Sequence, residues 1–517
     1  MHTRLLRTGL IGVVLGGLCL PFAGDAAAQT WTGAGAGGLW SDSGNWSTGL
    51  AGATVTSLVF TGSTAVNAST NDLVTAVNTA ISFTNTVGGT ANAVTLAGTG
   101  TVSFNGATPI TSLSTTANVT DEIAFPIRFA GGNKLFSMGS AHNLRISGVI
   151  SEDGTPRTLT KGGQGGTLVL TGENLFTGQM IMNVGNVQTD QLDNLSQPSP
   201  LGAGNLPVRI GNGAQTCTLI YTGPGETTNR NIQVGAGAAS TATGGATITN
   251  NGAGAIVFTA TSSNNSGFFN VAQAGVDPAV SRMLTLNGSS TAASTIHSKI
   301  VNNVNTSVGA SLVALTKSGA GTWVLAGAND YTGGTTVTAG RLYVNGSLAA
   351  TGNAVTVASG ATLGGSGTVG TAGTVSGIVS PGYGGIGTLS FAGGLTWNGG
   401  ATAATATDWA WDLGAANAAD LAGITGSLSK GTGSVFRFDF GGTAETGTFT
   451  LASWTGTTSF APADFSYTNL AAGSTATFDI IGNSLLVTVV PEPSAVSLAV
   501  LGFAGVAFGL ARRRRRS

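Results

Sequence analysis

The sequence predicts an all-β chain wound as a parallel solenoid. Three observations lead there. Short runs of Thr, Val, Leu and aromatic residues alternate with Gly, Asn and Asp, the residues that supply tight turns. Gly provides 83 of the 517 residues, and charged residues are only 8%, against roughly 25% in an ordinary soluble domain. One unit also recurs. Leu159-Thr160-Lys161 leads through a Gly-rich turn into Thr167-Leu168-Val169-Leu170-Thr171-Gly172-Glu173-Asn174-Leu175-Phe176-Thr177-Gly178, and Leu315-Thr316-Lys317 leads into Thr322-Trp323-Val324-Leu325-Ala326-Gly327-Ala328-Asn329-Asp330-Tyr331-Thr332-Gly333. A unit of this size cannot bury its apolar face alone, whereas stacked coils can.

The same composition excludes other classes. A net charge of −1 with 41% apolar residues does not describe an ordinary disordered chain. Gly falls far short of the one in three that collagen needs. There is no basic excess to form a nucleic-acid face. The two cysteines, Cys19 and Cys217, provide neither a disulfide framework nor a zinc site.

Taken in order, the chain opens with a signal peptide over 1–28. Arg4 and Arg7 precede an apolar stretch, Leu10 to Leu20, that is short for a bilayer span. Ala26, Ala28 and Gln29 mark the expected signal-peptidase site, with cleavage after Ala28, so the partners implied are the Sec translocon and signal peptidase. Residues 29–395 form the predicted solenoid, with repeat copies over 157–188 and 313–346. Residues 396–490 are expected to be a C-terminal β cap. Their amphipathic strands include Asp408–Leu413, Val435–Phe440 and Leu485–Val490, too few for a membrane barrel. The tail, 491–517, combines Pro491, Glu492 and Pro493 with a 17-residue uncharged run, Ala495 to Ala511, and then Arg512, Arg513, Arg514, Arg515 and Arg516. The run is expected to be a transmembrane helix, and the arginines a cytoplasmic stop.

The tail resembles a PEP-CTERM sorting signal. That resemblance implies an exosortase-type protease acting at Pro491, Glu492 and Pro493. It also implies transient anchoring in the inner membrane and a mature form at the cell surface or in the extracellular matrix. The repeated unit resembles the autotransporter-associated β-strand repeat family, with Trp323 where Leu is usual and Phe176 where Tyr is usual. Gly360 to Val369, Ser380-Pro381-Gly382 and Gly387-Thr388-Leu389 resemble the coils that follow such units. Trp31, Trp40 and Asn45-Trp46 resemble their first segment. This second resemblance implies a right-handed β-helix.

Convergent titratable groups, the usual mark of catalysis, are sparse. Asp408 and Asp412 fall on one strand face, but solvent-facing acids explain them. Asp121-Glu122 and Glu152-Asp153 are expected in turns or loops. His142 and His297 are expected in loops or at the surface, with no Ser-His-Asp grouping around them. Gly162 to Gly166 lacks the Lys-Ser/Thr ending of a phosphate loop. Trp323 and Tyr331 are expected inside the coil, while Trp409 and Trp411 suit either the interior or a sugar-stacking face. The chain is therefore expected to have no catalytic, cofactor or metal site and no nucleic-acid partner. It is expected to be a structural or adhesive surface protein, with extracellular polysaccharide as a candidate ligand. The alternative is a β-helix that binds or degrades polysaccharide.

Overall fold

The computed structural model describes residues 28–492, apart from 36, 48–53, 62–67, 74, 85–92, 114–118, 213–214, 236–243, 261–268, 272–281, 306–308, 401–408 and 444. The described chain is all-β, with three short 3₁₀ turns. Its strands pair almost entirely in parallel, each with the strand one coil later. The pairing is that of a β-solenoid. One sheet holds fifteen strands from Ala68–Asn71 to Leu428–Lys430, a ladder of about 67 Å at the usual strand spacing of about 4.8 Å. A thirteen-strand sheet accompanies its first part and a seven-strand sheet its later part.

Alternation decides which side chains enter the coil. In Val313–Lys317, Val313, Leu315 and Lys317 are buried and Ala314 and Thr316 face outward. Leu315 pairs with Thr335, Thr335 with Val355 and Val355 with Gly373. Successive coils here are therefore 20, 20 and 18 residues long. Where Val187 pairs with Leu219 and Leu219 with Ile248, coils lengthen to 32 and 29 residues. These longer coils carry additional strands such as Glu226–Thr228.

The two repeat copies share local structure but not position. In the first, Leu159–Gly163 lies in the thirteen-strand sheet and Thr167–Leu170 in the fifteen-strand sheet. In the second, Val313–Lys317 lies in the fifteen-strand sheet and Thr322–Leu325 in the seven-strand sheet. The unit has moved on by one face of the coil. The irregular coils between the copies cause the shift.

The polar residues of the repeat are interior fasteners. Lys317 sits in the inward column between Leu286 and Val337 and is fully buried. Its Nζ donates to Ser318 O at 2.7 Å, Gly319 O at 2.8 Å and Ala339 O at 2.9 Å. Lys161 does the same for Gly165 O and for Val184 O at 2.5 Å, the former lying beyond the extra residue of its turn. Buried carbonyls without donors are costly, and three ammonium hydrogens answer them. Gly340 passes over the Lys317 head with φ +65°. A Cβ there would lie 2.4 Å from Gly319 O and 2.7 Å from Lys317 Nζ. Asn329 ties three coils together. It accepts from Ile300 N at 2.9 Å and donates to Gly327 O at 2.9 Å and Ser347 O at 3.0 Å. Asn174 likewise accepts from Ile150 N and donates to Pro200 O, both at 2.8 Å. Tyr331 is buried with its hydroxyl 2.7 Å from Thr335 Oγ1. In the first copy these two positions are Phe176 and Met180, so hydroxyl and partner are lost together.

Both ends are closed by aromatic clusters. Trp31 and Trp40 meet Trp46 edge-on, with centroids 5.0 and 5.9 Å apart, beside Phe60 and Phe83. At the other end Trp397 stacks on Trp409 at 3.7 Å and 13°, and Trp409 on Trp411 at 5.6 Å and 7°. Trp409 and Trp411 are thus interior residues, as are Trp323 and Tyr331.

The expected cap is itself partly coiled. Leu395–Trp397 pairs in parallel with Leu428–Lys430, and Phe436–Thr443 in parallel with Phe465–Leu470. Antiparallel closure comes only with Ser484–Pro491, which pairs with Gly447–Trp454 on one side and Ser474–Ile481 on the other. Alternation alone does not distinguish a coil strand from a cap strand, and strand direction decides between them. No helix among the described residues is long and apolar enough to cross a membrane. The expected transmembrane run, 495–511, lies outside them.

The fasteners give a first test. Lys317→Met keeps the apolar stem but orphans three carbonyls, and should lower stability by about 3 kcal/mol in denaturant titration. Burial pushes the Lys317 ammonium down to about 8 from its ordinary 10.5. The unfolded chain then binds more protons between pH 8 and 10.5, so the wild type should gain stability relative to Lys317→Met as pH rises from 8 to 10. A constant difference across that window would show that the buried amine does not titrate.

Candidate functional site

The coil brings together a group that sequence spacing does not reveal. His142 is fully buried just before strand Asn143–Ile146, its Nε2 2.8 Å from Asp121 Oδ2. Its Nδ1 meets Ser112 Oγ in a short contact. Asp121 Oδ1 also accepts from Val94 N at 2.7 Å. Two expectations are corrected here. Asp121-Glu122 lies in the strand Thr120–Ile123, not in a turn, and His142 is a core residue, not a surface one. Ser112 and Asp121 lie on one coil and His142 on the next, so stacking makes them neighbours. The order Ser–His–Asp suits an acyl-transfer relay. Burial speaks against that use, because Ser112 is only 1% exposed and its partners 0%. The trio fastens the core.

The other expected positions are mostly structural. Glu122 faces outward and accepts from Ser147 Oγ at 2.6 Å. Glu152 ends the strand Ile150–Glu152 and accepts from Thr177 Oγ1 at 2.6 Å. Asp153 follows in a turn and pairs with Arg157 at 2.8 Å, and this hydrogen bond holds its carboxyl well below the usual range. His297 is an exposed loop residue. Asp412 is exposed, while Asp408 lies outside the described residues, so the structure does not assemble that pair. Cys217 is buried against the coil of Lys161, and burial pushes its thiol up to about 11, which suppresses thiolate chemistry. No group of three or more His, Cys, Asp or Glu among the described residues could hold a metal. A shallow cleft of about 430 Å³ near the C-terminal end is lined by Pro462, Phe465, Tyr467, Phe478 and small residues, with no carboxylate, His, Lys or Arg.

The targeting residues fall at the two edges of the described body. Ala28 is exposed, and Gln29 begins the strand Gln29–Thr30, which pairs in parallel with Leu58 and Val59. Pro491 ends the last strand and Glu492 follows, both exposed, with Glu492 N donating to Gly473 O at 2.6 Å. Ala26, Pro493 and Arg512 to Arg516 lie outside the described residues.

The outer surface is more distinctive than any cavity. On the fifteen-strand sheet one outward column runs in register through Thr218, Thr247, Thr285, Thr316, Thr336, Thr356, Thr374 and Thr396 to Ser429. The neighbouring outward positions Ala314, Gly334, Ala354, Ala372 and Gly394 are small and uncharged. The result is a long hydroxyl-bearing column without charge. On another face, Asp420 organises a loop. It is 2% exposed and accepts from Gly387 N at 2.8 Å and Asp412 N at 2.9 Å, while its carbonyl takes Trp411 Nε1 at 2.6 Å. Burial pushes its carboxyl up to about 6.

Two segments, 159–181 and 315–344, match the passenger-associated-transport-repeat family. They coincide with the repeat copies and their fasteners. The chain is also similar to the adhesin BmaC autotransporter of Brucella suis biovar 1 (strain 1330), at 29% identity over 222 residues. That match covers 42% of this chain and 6% of the adhesin's length. No solved structure matches. The repeats are thus of the autotransporter-passenger kind.

Asp420 provides a pH test. Burial pushes its folded-state carboxyl up to about 6, above the ordinary 3.8. The folded chain therefore binds the extra proton between these values, and the Asp420 contribution to stability falls as pH rises from about 4 to about 6. Thermal melts should show this fall in the wild type and lose it in Asp420→Asn. An identical pH profile in both would mean that Asp420 does not titrate in that window.

Proposed function

We propose that this chain is an exported, non-enzymatic β-helical protein that serves a structural or adhesive role at the bacterial cell surface or in the extracellular matrix. The observation that carries the reading is the passenger-type repeat built into an extended coil. Its polar interior residues are spent on backbone carbonyls and amides, while its longest face carries a column of hydroxyls in register from Thr218 to Ser429. The similarity to an autotransporter adhesin supports the adhesive half of the reading. The right-handed winding belongs to the same proposal.

The export route is proposed from the two ends. Ala26, Ala28 and Gln29 form the signal-peptidase site used after passage through the Sec translocon. Pro491, Glu492 and Pro493 are the sorting motif of an exosortase-type protease. The 495–511 run with Arg512 to Arg516 holds the precursor in the inner membrane until the tail is removed. The exposed position of Pro491 and Glu492, at the end of the last strand, suits access by a protease. The domain division that follows is signal peptide, solenoid, cap and sorting tail.

A glycan-degrading alternative requires several free acids or bases on one concave face; Asp193, Glu226 and Arg230 do lie together, but the amides of Leu192 and Asp193 engage Glu226 and the carbonyls of Leu192 and Gly202 engage Arg230. A glycan-binding alternative has one observation in its favour, an exposed pair of tyrosines, taken up below.

Mass spectrometry of both mature termini tests the route. The expected N-terminus is Gln29, and the expected C-terminus lies near Pro491 to Pro493. Glu492→Ala should leave full-length protein in the inner-membrane fraction. Normal release of that variant would overturn the sorting reading.

A further inference from the structure

All eight tryptophans are buried, at 5% exposure or less. Against that background one aromatic stands out. Tyr383 is 45% exposed, more than any other aromatic among the described residues. It does not hang on a loose loop. The segment Pro381 to Gly387 is pinned at one end by the paired bonds Gly365 N to Gly382 O, 3.2 Å, and Gly382 N to Gly365 O, 2.9 Å. Asp420 pins the other end through Gly387 N. The Ile386 side chain comes down on Gly414, where a Cβ would meet its Cδ1 at 2.6 Å, yet Ile386 remains 44% exposed.

A second ring stands beside the first. Tyr343 lies on the outward side of strand Arg341–Val344, its centroid 4.9 Å from that of Tyr383 with 53° between the planes. Gly364, its register partner on the next coil, makes room for it. A Cβ at Gly364 would lie 2.7 and 2.8 Å from Tyr343 Cε1 and Cδ1. Arg341, two residues earlier, shares the outward side and is exposed. The arrangement is therefore two tyrosine rings and an apolar side chain on a fixed loop and strand, with a guanidinium alongside.

We infer that Tyr343, Tyr383, Ile386 and Arg341 form a lateral ledge that binds the pyranose units of an extracellular polysaccharide. The C–H face of a pyranose is apolar and packs on an aromatic ring, while its hydroxyls take hydrogen bonds from guanidinium and phenol. A ledge held before binding loses little entropy when it captures a ligand. Short proline-rich peptides also pack on exposed aromatics, but they require a groove between rings, and these rings stand on an outward face. This inference rests on the adhesive reading and names its partner class.

The test uses the purified full chain in native gels cast with hydroxyethyl cellulose, xylan or alginate. Retardation is expected in at least one of the three. Tyr383→Ala should weaken it about ten-fold, with circular dichroism and melting temperature unchanged, and Tyr383→Phe should retain most of it. No retardation of the wild type in any gel, or equal retardation of Tyr383→Ala, overturns the ledge. Retention on an immobilised proline-rich peptide in place of the polysaccharides also overturns it. Beads coated with the full chain separate the two readings. Beads that adhere to polysaccharide-coated surfaces equally well with wild type and Tyr383→Ala leave the adhesive reading standing and remove the ledge. Wild-type beads that adhere to no surface remove the adhesive reading itself.

Discussion

Stacking coils 4.7–4.9 Å apart leaves no room for water between them. At the corners, where the chain leaves one sheet for the next, backbone carbonyls and amides point into the interior without ladder partners. Each must be satisfied from within, because an unpaired buried polar group costs as much as a well-made hydrogen bond returns. Much of the polar content of this chain meets that demand. Lys161 and Lys317 place ammonium groups among corner carbonyls, and Asn174 and Asn329 bond to the coils before and after their own. The Ser112–His142–Asp121 group belongs with them, since Asp121 also takes the amide of Val94 on the preceding coil.

The same constraint explains why the surface is so plain. With several of the scarce polar and charged side chains turned inward, many outward positions of the later coils fall to Thr, Ser, Ala and Gly. These suit a flat parallel sheet through β-propensity and small size. A coil stack also has two open ends, where the last inward column would meet solvent. Six tryptophans, Trp31, Trp40 and Trp46 at one end and Trp397, Trp409 and Trp411 at the other, cover those columns. An antiparallel pair, Ser484–Pro491 and Ser474–Ile481, then ends one sheet without continuing the coil. Such terminal units are a general requirement of repeat folds.

A chain built this way offers long outward faces for contact. Its described ionisable residues are dispersed or fastened, and its exposed features are long faces and one aromatic ledge. Function in such a molecule resides in the outward side chains of particular coils. The inward residues that mark the repeat hold the coil, while outward residues of the second copy, Arg341 and Tyr343 among them, stand on its surface.

Much of the fold was legible in the sequence. Alternation in Val313–Lys317 and Phe436–Phe440, the Gly turns and the recurrence of one unit point to parallel coils, and the buried fate of Trp323 and Tyr331 follows from their place in the unit. The contacts between coils were not legible. That His142 meets Asp121 and Ser112, that Lys317 answers Ala339, and that Tyr383 stands against Tyr343 depend on which residues coil length brings into register. Coil length varies from 18 to 38 residues among the coils described above, without a local signal. Nor could the sequence show that the two repeat copies lie on different faces, or that Phe436–Thr443 is a coil strand. Local pattern determined the kind of structure, because strand alternation and turn chemistry act over a few residues. Only the tertiary structure decided which side chains became neighbours, because that depends on the summed lengths of irregular coils.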